Sequence, residues 1–257
     1  VATMLWAMVK LTENGLEMTL DLKKAVTALA PHVKSKAESQ DEKNRFNCQG
    51  SSNVLWAIAK LTENGLEMTL ELKEAVIALA LHVKSKTKSQ DEKDRFTCQN
   101  FSNMLWALAK LVDNGLEVET APELKKTVVV LLQHIKTIAE SKEKKDSFIS
   151  SHIVNLLWTL AKLGVNGLLE QTATLKATVT ALLLHAISKA KSKEDNDRFS
   201  TQGIAHLWWA VGKLGELIEL NVVESMIDFL IDGINYPLQL SQGYVRISLW
   251  GILACRA

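Results

Sequence analysis

Tyrosine is scarce in this chain, with two among 257 residues, and proline and cysteine are little commoner at three each. Three cysteines cannot all pair, and none falls in a C-x-x-C spacing, so neither a disulfide framework nor a structural zinc site is expected. That usage fits a reducing compartment. An excess of either charge is also missing: 30 Lys+Arg face 29 Asp+Glu, a net charge of +1. This balance argues against a strongly basic, non-specific DNA binder. It leaves a local basic stripe open, because net charge averages over the whole surface. No run of 18 apolar residues occurs, so no membrane-spanning helix is expected. Disorder is disfavoured at 47% hydrophobic content with balanced charge. The length suits one large domain or two small ones.

Catalytic motifs are absent as well. No Gly-rich phosphate loop, nucleophile elbow or paired-carboxylate motif is present, so no enzyme, cofactor, metal or small-molecule substrate is expected. Four of the six histidines (His32, His82, His134, His185) fall 26 to 28 residues after a tryptophan, in one recurring slot. Corresponding slots of stacked helices lie roughly 10 Å apart, too far to share one metal ion. Capping or packing at a seam between repeats is the expected role. Cys48 and Cys98 correspond in the same way, so they are expected to be small buried residues and not a disulfide pair.

Against two tyrosines stand seven tryptophans, at 6, 56, 106, 158, 208, 209 and 250. With Trp209 taken in register, their spacings are 50, 50, 52, 51 and 41. A fixed period of this size marks a repeat array. Leu5-Trp6-Ala7 with Lys10-Leu11 recurs as Leu55-Trp56-Ala57 with Lys60-Leu61, and as Leu105-Trp106-Ala107 with Lys110-Leu111. Residues 1–50 and 51–100 agree at 35 of 50 positions. The units run approximately over 1–46, 47–96, 97–148, 149–199 and 200–240, with a partial unit at 241–257. The chain starts and ends inside the same kind of helix, as a piece of a longer array would.

Each unit reads as two helices. The first, helix A, is apolar over most of its circumference (Val54, Leu55, Ala57, Ile58, Leu61), which predicts burial. Asn64-Gly65 ends it, since glycine adopts the left-handed conformation that stops a helix; Asn14-Gly15, Asn114-Gly115 and Asn166-Gly167 recur, and the fifth unit lacks the pair. Helix B carries Leu72, Ala75, Val76, Leu79 and Val83 as one apolar stripe. Pro122 suits a first turn. Pro31, inside a helix B, is expected to kink or split it. The charged stretch from Lys84 to Arg95 reads as a solvated helix end and loop. With no strand-like alternation outside these helices, the expected fold is all-α: an α-solenoid of stacked helical pairs.

One polar pattern recurs on helix A. Gln49, Asn53, Trp56 and Lys60 are spaced +4, +7 and +11, and project within about 60° of arc at 3.6 residues per turn. The pattern returns as Gln99, Asn103, Trp106, Lys110, then as Ser151, Asn155, Trp158, Lys162, and as Gln202, His206, Trp209, Lys213; Lys10 opens the series. Aligned by stacking, such stripes form a ladder on which lysines reach phosphates, amides bond base edges and exposed rings stack on bases. In a second arrangement Trp, flanked by Leu and Ala, belongs to the core, the amides bond neighbouring carbonyls, and lysine serves the helix dipole.

The segments Phe46-Asn-Cys-Gln-Gly-Ser-Ser-Asn-Val-Leu-Trp-Ala-Ile-Ala-Lys-Leu61 and Phe96-Thr-Cys-Gln-Asn-Phe-Ser-Asn-Met-Leu-Trp-Ala-Leu-Ala-Lys-Leu111 resemble the octotricopeptide repeat. That family's helix carries a Phe, then Gln, then Asn-x-Leu-Trp-Ala-Leu-Ala-Lys-Leu. The resemblance extends to bacterial repeat proteins of intracellular pathogens, some of them effectors delivered into host cells. It implies a helical-pair solenoid and, as in the organellar members, sequence-selective RNA binding through the Gln, Asn, Trp and Lys positions above. The units here are longer than the family's, Ser151 replaces Gln, His206 replaces Asn, and the last unit has Ala254 in place of Lys. A protein-interaction scaffold, in the manner of an effector acting on a host partner, is the alternative.

Overall fold

The computed structural model describes residues 1–87, 95–117, 122–141, 147–191 and 197–226. They form α-helices in alternating A and B positions, with short 3-10 turns at Glu42–Asn44 and Gly215–Leu217. The A helices are α1 (Ala2–Glu13), α3 (Cys48–Glu63), α5 (Cys98–Asp113), α7 (Ser150–Val165) and α9 (Thr201–Leu214). The B helices are α2 (Leu20–Glu38), α4 (Leu70–Lys86), α6 (Pro122–Glu140) and α8 (Ala173–Ala190). No strand occurs among the described residues, so the fold is all-α. The partial unit at 241–257, with Trp250, and residues 88–94 of the charged stretch lie outside them.

The chain divides into two compact units, Val1–Leu131 and Leu132–Ala257. In the first, A packs on A and B on B: α1 against α3, α3 against α5, and α2 against α4, with α3 also touching its own α4. In the second, α7 packs against α9 and against α8.

Local signals start and stop these helices, and the Asn-Gly stops fall where the sequence predicts. The Asn47 side chain accepts a hydrogen bond from the Gly50 amide at 2.7 Å, Thr97 and Asn100 form a capping box, and Ser200 caps α9. Gly15, Gly65, Gly115 and Gly167 all take positive φ, between 70° and 98°. Each leaves its helix in the left-handed conformation. The fifth unit, which lacks Asn-Gly, instead runs from α9 straight into a 3-10 turn. Pro122 opens α6 as expected. Pro31 does not split its helix: α2 is continuous across it. The ring is exposed to solvent, while Val26, Ala30 and Val33 on the other side are buried in the seam with α4. Packing on both sides of the proline holds one helix despite the missing amide.

The core follows the predicted faces. Leu72, Ala75, Val76, Leu79 and Val83 are buried, and so are Val54, Leu55, Ala57, Ile58 and Leu61. Each large side chain among them is worth about 1.5–3 kcal/mol of burial. Ser51 and Ser52 are also fully buried, small residues that let α3 approach its neighbours; the Ser52 hydroxyl donates to the Asn100 carbonyl at 3.4 Å.

Polar bonds recur across the seams. The Asn64 amide donates to Thr12 Oγ1 at 2.9 Å, and Asn114 repeats the bond to Thr62 at 3.3 Å. His82 Nε2 lies 2.9 Å from the Phe46 carbonyl, and His185 Nε2 3.2 Å from that of Phe148. A carbonyl only accepts, so Nε2 carries the proton in both. These two histidines fill the predicted seam-capping role, but His32 is exposed and His134 only half-buried. Cys48 and Cys98 form no disulfide among the described residues; Cys48 is buried, whereas Cys98 is only half-buried.

Candidate nucleic-acid interface

Helix α3 is buried on most of its circumference, and the residues left facing solvent are those of the stripe, with Gly50 beside it and Glu63 at its end. Gln49 is exposed and Asn53, Trp56 and Lys60 are half-buried, while Ser51, Ser52, Val54, Leu55, Ala57, Ile58 and Ala59 are buried. Helix α5 repeats the pattern with Gln99, Asn103, Trp106 and Lys110. In the second unit Ser151 and Asn155 are exposed, Trp158 and Lys162 half-buried; on α9, Gln202 and Lys213 are exposed, His206 and Trp209 half-buried. On α1, Lys10 is half-buried beside Trp6.

Of the two arrangements, the one that places the recurring tryptophan inside the core is not formed: Trp56, Trp106, Trp158 and Trp209 are half-buried at its rim. Trp6 is 46% exposed, while Trp208, the neighbour of Trp209, is 1% exposed and takes the core position of Leu55 and Leu105. The physical reason is the 100° step of the helix: Leu and Ala on either side of Trp56 point into the core, and the ring between them lies along its rim. The internal amide bonds are not formed either. Among the described residues, nothing in the chain hydrogen-bonds the side-chain amides of Gln49, Asn53, Gln99, Asn103, Asn155 or Gln202.

The lysines interleave with the rings. Lys60 Nζ lies 4.7 Å from the centroid of Trp106 in the next repeat, with Lys110 Nζ at 5.8 Å. Lys162 sits in the same manner over Trp158 at 5.7 Å and Trp209 at 6.0 Å. Trp158 and Trp209 are tilted by 38° at 6.2 Å, and His206 lies 6.2 Å from Trp158. Cation–π contacts of this kind are worth about 0.5–1 kcal/mol at exposed sites. Burial holds His206 below the ordinary histidine range, so it is neutral at pH 7 and offers one donor and one acceptor.

The row of lysines in the first unit is not a bare cationic track. Lys10 pairs with Glu13 at 2.5 Å and Lys60 with Glu63 at 2.9 Å, and Lys110 reaches back to the same Glu63 at 2.7 Å. Burial pushes the Glu63 carboxyl up, but hydrogen bonds from Lys110 and Lys60 outweigh it and hold the group below the usual carboxylate range. Glu13 and Glu63 stand outside the Gln, Asn, Trp and Lys pattern of the sequence. The i,i+3 spacing from Lys10 and Lys60 was a visible signal. The contact from Lys110 was not, because it crosses repeats.

Among the described residues no cluster of His, Cys, Asp and Glu could hold a metal ion, and no helix is long and apolar enough to cross a membrane. No family model matches the chain, and no curated protein or solved structure matches it.

Proposed function

We propose that the protein is a non-enzymatic α-solenoid binding module that holds single-stranded RNA along the solvent-facing stripe of its A helices. The observation that carries this reading is the row of unengaged amides, Gln49, Asn53, Gln99 and Asn103, on the wet line of helices otherwise buried. Helices this buried have little polar surface to spare, and here it repeats amide, amide, ring and lysine in register. Amides bond base edges, half-exposed indoles accept a stacked base, and ammonium groups meet phosphates. The indole rings lie partly under lysines, which favours base contact at the ring edge and phosphate contact at Nζ. Cys48 and Cys98, which form no disulfide among the described residues, suit a reducing compartment.

Binding of a labelled single-stranded RNA pool across a salt series tests this. Lys60→Glu and Lys110→Glu are each expected to weaken binding about ten-fold or more at low salt and to flatten the salt dependence. No binding at low salt, or binding indifferent to both changes, contradicts it.

The second reading, a protein-interaction surface, is favoured by Glu63, whose single carboxylate is shared by two ladder lysines and leaves that stretch mixed in charge. A partner complex that survives nuclease and is broken by Trp106→Ala would select it.

A further inference from the structure

Resting on the RNA reading, the geometry points to a phosphate subsite between Lys60 and Lys110 that Glu63 fills while no strand is bound. One Glu63 carboxylate oxygen meets Lys60 at 2.9 Å and the other meets Lys110 at 2.7 Å. The two ammonium groups come from packed helices of consecutive repeats, α3 and α5, and the Trp106 ring lies beneath both. A phosphodiester presents the same pairing: two anionic oxygens on one centre, able to take one ammonium each. Glu63 therefore acts as a built-in competitor. It keeps both lysines converged over the ring and must yield when a phosphate arrives.

The exchange is physically open. The side chains of Lys60, Glu63 and Lys110 are 24–30% exposed, and ion pairs in contact with water are weak, on the order of 0–1 kcal/mol. Burial-driven resistance to charge is overcome at Glu63 by the two lysines, which agrees with a carboxylate that is ionised at neutral pH. On α1 the corresponding Glu13 pairs with Lys10, whereas Glu63 bridges the lysines of two repeats. Where α3 has Glu63, α5 has the shorter Asp113 and α7 has Val165, an apolar residue 61% exposed.

The test compares the intact chain with Glu63→Gln and Glu74→Gln for binding a labelled single-stranded RNA pool, with circular dichroism melts to check each fold. Glu74 of α4 pairs with Lys34 of α2 at 2.9 Å, so its substitution makes the same charge change and unpairs a lysine off the ladder. Glu63→Gln is expected to tighten binding roughly two- to five-fold, the range of one weak ion pair removed from competition. Its log–log salt slope should steepen by up to about one. Glu74→Gln should leave both within error. Unchanged or weaker binding by Glu63→Gln, or an equal gain from Glu74→Gln, overturns the subsite. If Lys60→Glu and Lys110→Glu still weaken the intact chain in that case, the RNA reading stands without it. If neither the intact chain nor Glu63→Gln binds RNA, both fall.

Discussion

Gly65 holds φ at +97° and an added Cβ would meet nothing within 4 Å, so its constraint is conformational and not steric. Gly65→Ala is therefore expected to cost about 1–2 kcal/mol through the left-handed backbone alone. Gly164, also with open space around it but within α7, should respond oppositely: Gly164→Ala gains up to about 1 kcal/mol as the unfolded chain loses freedom. Urea titration of both variants checks the pair, and equal signs would contradict the argument. The glycine role was legible in sequence, because Asn-Gly after an apolar run is a local stop signal. Its neighbour was only half legible. Asn64 also reaches Thr12, 52 residues away, and no local pattern announces that bond.

Helix α2 tests what packing adds to propensity. Pro31 interrupts the amide series without ending the helix, and leaves the Thr27 carbonyl without its i+4 donor. The corresponding residue of α4 is Leu81, also exposed. Pro31→Leu should then restore the bond and stabilise the chain by about 1–3 kcal/mol, read as a higher urea midpoint. No change would mean that another donor serves the carbonyl. Helix number, order and apolar faces follow from spacing that any single repeat shows. The exposure of the tryptophans does not. Flanking Leu and Ala make a buried ring and a rim ring look alike in sequence, and only packing of α3 against α1 and α5 tells them apart.

At the scale of the whole molecule, histidine burial gives the fold an acid limit. His134, His152, His185 and His206 are all held below the ordinary histidine value of 6.5, chiefly by burial. The folded chain thus binds fewer protons than the unfolded one between the lowered values and 6.5, so stability rises with pH through that window. It is full above 6.5 and lost as pH falls below it. All four belong to the second unit, Leu132–Ala257. The melting temperature should fall between pH 7.5 and 5.5, with amide exchange rising first in α7–α9. His206→Asn, the residue that Asn53 and Asn103 supply in other repeats, should reduce the loss. A melting temperature equal at both pH values would contradict this.

What the sequence by itself determined is everything that acts within one helix or its ends: repeat period, helix type, Asn-Gly stops, apolar faces, and the polar stripe spaced +4, +7 and +11. Those depend on backbone geometry and the 3.6-residue turn, which residue spacing encodes directly. Only the tertiary structure decided that the stripe faces water, that Trp208 and not Trp209 enters the core, and that Lys60 and Lys110 converge on Glu63. Each of those depends on a side chain 50 or so residues away, brought near by packing of one A helix against the next.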